Sequence, residues 1–144
     1  MTDHMKLPHT HLTTLELTID PTAMENIGEF VPSGVRKIVP VLSGTFAGKK
    51  LTGHVNSEGA DWVIFRPDGS MLIDVRVTLK TDDDVLIYLT YQGRFLPGSE
   101  DYSLVITPKF ECGHPKYKWL NDVIAVGVGK SIPKGPIYTI YEIR

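Results

Sequence analysis

Asp74 and Arg76 stand two residues apart in MLIDVRVTLK, and a carboxylate beside a guanidinium is a minimal set for acid–base chemistry. On a strand, residues i and i+2 project from one face roughly 6–7 Å apart, so both can meet one reacting group. The carboxylate would take a proton while the guanidinium holds the negative charge that develops. Tyr88 adds a weak acid that can polarise a carbonyl, and Glu111 adds a second carboxylate able to serve as base. The catalytic set read from the sequence is therefore Asp74, Arg76, Tyr88 and Glu111. Everything turns on which way the face of Asp74 and Arg76 points. Outside, they are solvated charges; inside, each must find a partner or a ligand, because an unpaired buried charge costs several kcal/mol. A structural salt bridge meets that demand as well as a binding site does.

A second group suits binding. Asp61 and Trp62 open a strand, and tryptophan there either fills core or stacks on a flat ligand. His54 shares a face with Thr52 and Asn56 in KLTGHVN, and Trp119 and Asn121 close the irregular stretch ECGHPKYKWLN. A carboxylate, an aromatic platform and an amide within that stretch fit the lip of a site. No metal and no cofactor are expected. Paired cysteines, helix-spaced histidines, a phosphate loop and a nucleophile elbow are all missing from the sequence. His4, His9 and His11 lie in a polar terminal segment, and Cys112 with His114 share one loop, where neighbours rarely converge on a single atom.

The elements that must position these residues are strands. About nine apolar or alternating runs follow one another at the ~8–12-residue spacing of sandwiches and barrels. They are Leu12–Ile19, Val35–Leu42, Lys50–Asn56, Asp61–Arg66, Met71–Lys80, Val85–Tyr91, Tyr102–Phe110, Val123–Gly129 and Pro136–Ile143. Pro40 marks an edge, bulge or strand end, since it has no N–H to give a ladder. Ser43–Gly48, Pro67–Gly69, Thr81–Asp84, Gly93–Asp101 and Ser131–Gly135 read as turns or loops, the three acids of Thr81–Asp84 as a solvated tip. Pro21–Glu29 is the one helical candidate, with Asp20 as cap and Gly28 as stop. The stretch from Gly59 to Gly93 is a three-stranded meander with Ile73, Val75, Val77 and Leu79 on one face and Asp74, Arg76, Thr78 and Lys80 on the other.

Composition sets the outer limits. The chain has 144 residues, 42% of them apolar and 22% charged, which is the globular range. Lys+Arg number 15 and Asp+Glu 17, for a net charge of −2, so no basic field favours nucleic acid. The single cysteine excludes an internal disulfide, and no run approaches the ~18 apolar residues of a membrane span. A cytoplasmic protein is expected, with a terminal segment over residues 1–11 and one domain over residues 12–144. The charged face of Asp74, Arg76 and Thr78 favours a closed antiparallel barrel over a sandwich, because an eight-stranded barrel can hold one small ligand together with polar groups to orient it.

Several motifs occur in order: Arg36 to Pro40 with SGTFAG, GADW, RPDG, LIDVR, TDD and WLN. From Leu12 to its end the chain resembles the lipocalin-like domain of unknown function 3237 family, also known as uncharacterised protein family 0311. The resemblance implies a closed barrel of about eight to nine strands with a central pocket and at most one short helix, often assembled as a homo-oligomer. It implies polar site residues at Arg36, Asp61, Trp62, Arg66, Asp74, Arg76, Thr81, Glu111, Trp119 and Asn121. Asp84 departs from the family, whose members usually carry glycine there, and the loop after Gly93 is shorter.

Two functions fit these residues. The first is a cofactor-independent enzyme acting on a small carbonyl-containing or aromatic metabolite by acid–base chemistry of lyase or isomerase type, such as isomerisation, cyclisation, hydration or retro-aldol cleavage. Arg36, Asp61, Trp62, His54, Trp119 and Asn121 would bind its substrate. The alternative is a small-molecule binding or carrier protein that uses the same pocket without chemistry.

Overall fold

The computed structural model describes residues 3–30, 32, 34–56, 58–98 and 102–144. Among them ten strands form one antiparallel sheet closed on itself. They are β1 (Thr10–Ile19), β2 (Glu25–Phe30), β3 (Gly34–Ala47), β4 (Gly53–Val55), β5 (Gly59–Phe65), β6 (Met71–Thr81), β7 (Leu86–Phe95), β8 (Leu104–Glu111), β9 (Ala125–Ile132) and β10 (Gly135–Glu142). Around the ring the order is β1, β10, β9, β8, β7, β6, then β4 and β5 sharing one position, then β3, which returns to β1. That makes an eight-stranded barrel, with β2 pairing only the first half of β3. Closure leaves few free strand edges among the described residues, β2 being the short strand that pairs on one side only, and closing the sheet is how such folds avoid pairing with other chains.

The wall is built by period-two patterning. Leu15 and Leu17, Val39 and Val41, Ile73 to Leu79 in alternate steps, Ile87 and Leu89, and Ile106 and Ile140 all point inward and are buried. Val77 and Leu79 meet Leu89 and Ile87 across the β6–β7 ladder. Gly59 lets β5 close against β6, since a Cβ there would lie 2.0 Å from the Arg76 carbonyl oxygen. One end of the barrel is plugged. A 3-10 helix, Pro115–Asp122, drops Tyr117 and Leu120 into the core, and Asp83 in the β6–β7 turn fastens it. Asp83 accepts from Lys116, from Thr81 Oγ1 at 2.6 Å and from the Tyr117 hydroxyl at 2.8 Å, and these donors, Lys116 first, hold its carboxyl well below the usual carboxylate range.

Several expectations need correcting. The polar face of β6 points outward: Val75 and Val77 are buried while Arg76 is exposed. The barrel is closed, but its charged stripe is not what fills it. Pro21–Glu29 is not a helix; a three-residue 3-10 turn, Pro21–Ala23, is followed by β2. Ser43–Gly48 is no turn, because β3 continues to Ala47 with β1 pairing Gly44 and Phe46 on one side and β4 pairing Phe46 on the other. Pro40 sits where β3 changes partner, with Ile19 of β1 opposite Val41 and Glu25 of β2 opposite Ile38. Part of Thr81–Asp84 is a clamp rather than a free tip, as Asp83 shows. β7 runs on to Phe95, and the end of the loop that follows, residues 99–101, lies outside the described residues, as do residues 1–2 of the terminal segment. Among the described residues no helix is long and apolar enough to cross a membrane.

Candidate functional site

The end of the barrel opposite the plug holds a cavity of about 140 Å³. Val39 and Val41 from β3, Val63 and Phe65 from β5, and Ile73 and Val75 from β6 supply much of its apolar lining. Four of its lining residues are polar: Asp61 from β5, Tyr91 from β7, Ser131 from β9 and Tyr138 from β10. An apolar cavity of ~150 Å³ is enough to hold benzene, so this volume suits a ligand of about one small ring.

Asp61 is inside because β5 alternates, with Asp61, Val63 and Phe65 facing in and Trp62 and Ile64 facing out. The ladder beside it is interrupted. β5 pairs Asp61 with Val75 and resumes only at Ile64 with Leu72. In the gap, the Asp74 backbone N–H donates to Asp61 Oδ1 at 3.0 Å, and Arg36 Nη1 donates to the Trp62 carbonyl at 2.8 Å. Asp61 thus has one oxygen held by the wall, and no described group donates to the other. Burial raises its pKa to about 6; the Asp74 N–H opposes this, the Asp74 charge adds to it, and Arg36 offsets part. Among the described residues the buried Tyr91 hydroxyl has no partner at full hydrogen-bonding geometry, although the Tyr138 hydroxyl interacts with it. Its ring lies edge-on to Tyr138 with centroids 5.3 Å apart. Burial first, and then the neighbouring tyrosine, push the Tyr91 hydroxyl well above its usual range. Burial pushes Tyr138 up as well, and the Asp61 charge adds to both. Both hydroxyls therefore stay protonated near neutral pH. They are hydrogen-bond donors facing a carboxylate.

Residues 8–143 match the family described as "Protein of unknown function (DUF3237)". The chain belongs to this family. A UPF0311 protein of Rhodopseudomonas palustris is 34% identical over 122 residues, covering 75% of this chain and 77% of that protein. Among solved structures, a beta-barrel like protein from Acinetobacter baumannii superposes with a TM-score of 0.85 at 32% identity, over 100% of both chains. A structure described as an enzyme from Penicillium herquei reaches a TM-score of 0.77 at 19% identity, covering 100% of this chain and 99% of its own. That last likeness is one of fold.

In this DUF3237 chain the residues singled out from the sequence divide into four places. Asp61 reaches the cavity, with Arg36 and the Trp62 main chain bracing the gap beside it. Asp74, Arg76, Tyr88 and Glu111 do come together, but in a groove on the outer wall with Thr90, Gln92, Thr107 and Lys109. Arg76 there lies over the Trp62 ring at 5.5 Å, and Arg36 over Phe30 at 5.8 Å. His54 is exposed on β4, opposite Thr45 and Lys80. Trp119 and Asn121 belong to the plugged end. Trp119 Nε1 donates to the Lys116 carbonyl at 3.1 Å; Asn121 accepts from the Cys112 N–H at 3.1 Å and donates to the Cys112 and Lys118 carbonyls at 2.7 and 3.0 Å. Asn121 thereby ties the 3-10 helix to β8. Cys112 and His114 do not form a pair: the thiol is buried against the Leu86 carbonyl, and His114 Nδ1 accepts the Lys116 N–H. Among the described residues no three His, Cys, Asp or Glu side chains gather as metal ligands.

Tyr91 and Tyr138 escaped the sequence reading. Their signal was a hydroxyl on an otherwise apolar stripe, Ile87–Leu89–Tyr91 and Tyr138–Ile140.

Proposed function

We propose that the chain is an acid–base catalyst that uses its own side chains to move a proton on a small carbonyl compound inside the barrel. One observation carries this reading: an inward carboxylate, Asp61, has a free oxygen in an apolar cavity beside the buried hydroxyl of Tyr91. The base is thus Asp61 and not Asp74, whose side chain lies outside the wall.

The step balances simply. Asp61 takes the proton α to the carbonyl; the C–H electron pair becomes the C=C bond of an enolate, and the carbonyl oxygen takes the charge. Tyr91, neutral at working pH, donates a hydrogen bond to that oxygen. In a simple ketone the proton returns to the same α carbon and the result is exchange; in a β,γ-unsaturated one the enolate is conjugated with the second C=C bond, and return of the proton to the γ carbon completes an isomerisation. A positioned base contributes ~10²–10⁴-fold and one donor at the oxyanion roughly 10²–10³-fold. A carboxylate titrating at about 6 is ionised at neutral pH yet basic enough to accept a proton there.

Cyclohexanone in deuterium oxide, followed by proton NMR, tests the reading. The protein should speed α-hydrogen exchange above buffer, with a rate that rises with pH through an apparent pKa of about 6. Asp61→Asn keeps an acceptor for the Asp74 N–H, and the reading expects it to lose about 10²-fold or more of this rate. A folded Asp61→Asn protein that exchanges as fast as wild type would falsify it.

A further inference from the structure

Lys37 sits on the cavity side of β3, beyond the residues that line the cavity itself. It lies between Val35 and Val39 on β3 and pairs with Val63 of β5, so it shares the face of Val39, Val41 and Val63 that lines the cavity. Its side chain is half-buried, and its Nζ lies 4.7 Å from the centroid of the Phe65 ring at the rim. It forms no ion pair: the two salt bridges among the described residues, Lys80–Asp84 and Lys116–Asp83, are both at the plugged end. Glu25 and Glu29 on β2, which flank Asn26 opposite Lys37, form no ion pair with it among the described residues, and two acids in the turns are already engaged. Asp68 accepts from the Ser70 N–H and hydroxyl, and Asp20 accepts from the Thr22 N–H and hydroxyl. Arg66 donates to Ser70 Oγ at 2.8 Å. A positive charge drawn partly out of water, over an aromatic ring and without an acid, is a place for an anion.

Resting on the cavity reading above, we propose that the ligand is a small keto acid, with its carbonyl beside Asp61 and Tyr91 and its carboxylate at the mouth on Lys37. The spacing fits. Val63, opposite Lys37, is two residues along β5 from Asp61, roughly 6–7 Å, and the lysine stem extends the reach toward Phe65. A six-membered ring ketone with a carboxylate opposite the carbonyl spans that distance, and its ring fits the cavity of about 140 Å³. Lys37 has a second effect: by neutralising the ligand's charge it makes a carboxylate tolerable in a barrel that already holds Asp61.

Calorimetry with 4-oxocyclohexanecarboxylate and its carboxamide isolates the charge, because the two share shape and ketone. Wild type should bind the acid at least about tenfold tighter than the amide, a difference of ~1.4 kcal/mol. Lys37→Met keeps the stem on Phe65 and should bring the two affinities within about twofold, whereas Lys37→Arg should keep the preference. Equal binding of acid and amide by wild type, or a preference that survives in Lys37→Met, overturns the inference. Loss of preference with cyclohexanone exchange intact removes the keto acid and leaves the cavity reading standing. Failure of both compounds to bind, together with failure of exchange, removes both.

Discussion

Asp61 is costly to fold around for the same reason that it can act as a base. Its pKa is about 6 in the folded chain against an ordinary 3.8, so between those values the folded state holds a proton that the unfolded chain has lost. Asp61 by itself therefore costs nothing below about pH 4, and its cost grows as pH rises through about 6 and then levels, at roughly 2–3 kcal/mol at most. Urea melts of wild type and Asp61→Asn should differ little at pH 4, and the variant should be the more stable above pH 7. Parallel curves across that range would mean that Asp61 ionises freely in water. Tyr91→Phe separates the same two quantities. Removing a buried hydroxyl without a partner at full hydrogen-bonding geometry should leave stability unchanged or raise it by ~1–3 kcal/mol, while exchange slows by roughly 10–10³-fold. Asp61 was legible in the sequence as a charge among apolar strand residues. Tyr91 was not, because a strand tyrosine usually keeps its hydroxyl in water, and only barrel closure takes that water away.

At the scale of elements, tight turns were easier to read than long strands. Thr81–Asp84 was recognised as a turn, and its Asp84 has φ +67, the left-handed region in which glycine is at ease. Asp84→Gly should keep stability within about 1 kcal/mol, because relief of backbone strain offsets the greater freedom of the unfolded glycine, and the exposed Lys80–Asp84 pair at 3.7 Å contributes little. Asp84→Val should lose ~1–2 kcal/mol, since a β-branched residue resists that conformation. Thermal melts that rank valine above glycine would contradict the strain. By contrast, SGTFAG has turn composition yet runs as strand, because β1 and β4 pair it from both sides. ENIGEF lacks alternation and is strand only through its ladder with β3. Long-range pairing decided both, and no local pattern records it.

For the molecule as a whole, alternation tells which residues share a face but not which face turns inward. Alternation put Asp74 and Arg76 on one face and left its side open; that face is the outer one, and the apolar stripe Ile73, Val75, Val77 and Leu79 closes the barrel, as the hydrophobic effect requires when the interior has few partners for charge. The closed barrel then divides its labour between its ends. The plugged end is packed core, with Leu120 fully buried, whereas the open end leaves about 140 Å³ unfilled around Val39 and Asp61. Leu120→Ala should lose ~2–5 kcal/mol through the cavity it creates, and its folded fraction should bind the keto acid as wild type does. Val39→Leu adds a methylene where space already exists, so its stability should stay within about 1.5 kcal/mol while affinity for the keto acid drops by about tenfold or more. Urea melts paired with calorimetry read both quantities. If Val39→Leu destabilised the protein as much as Leu120→Ala, the open end would be packed core, and the space around Asp61 would not be a site.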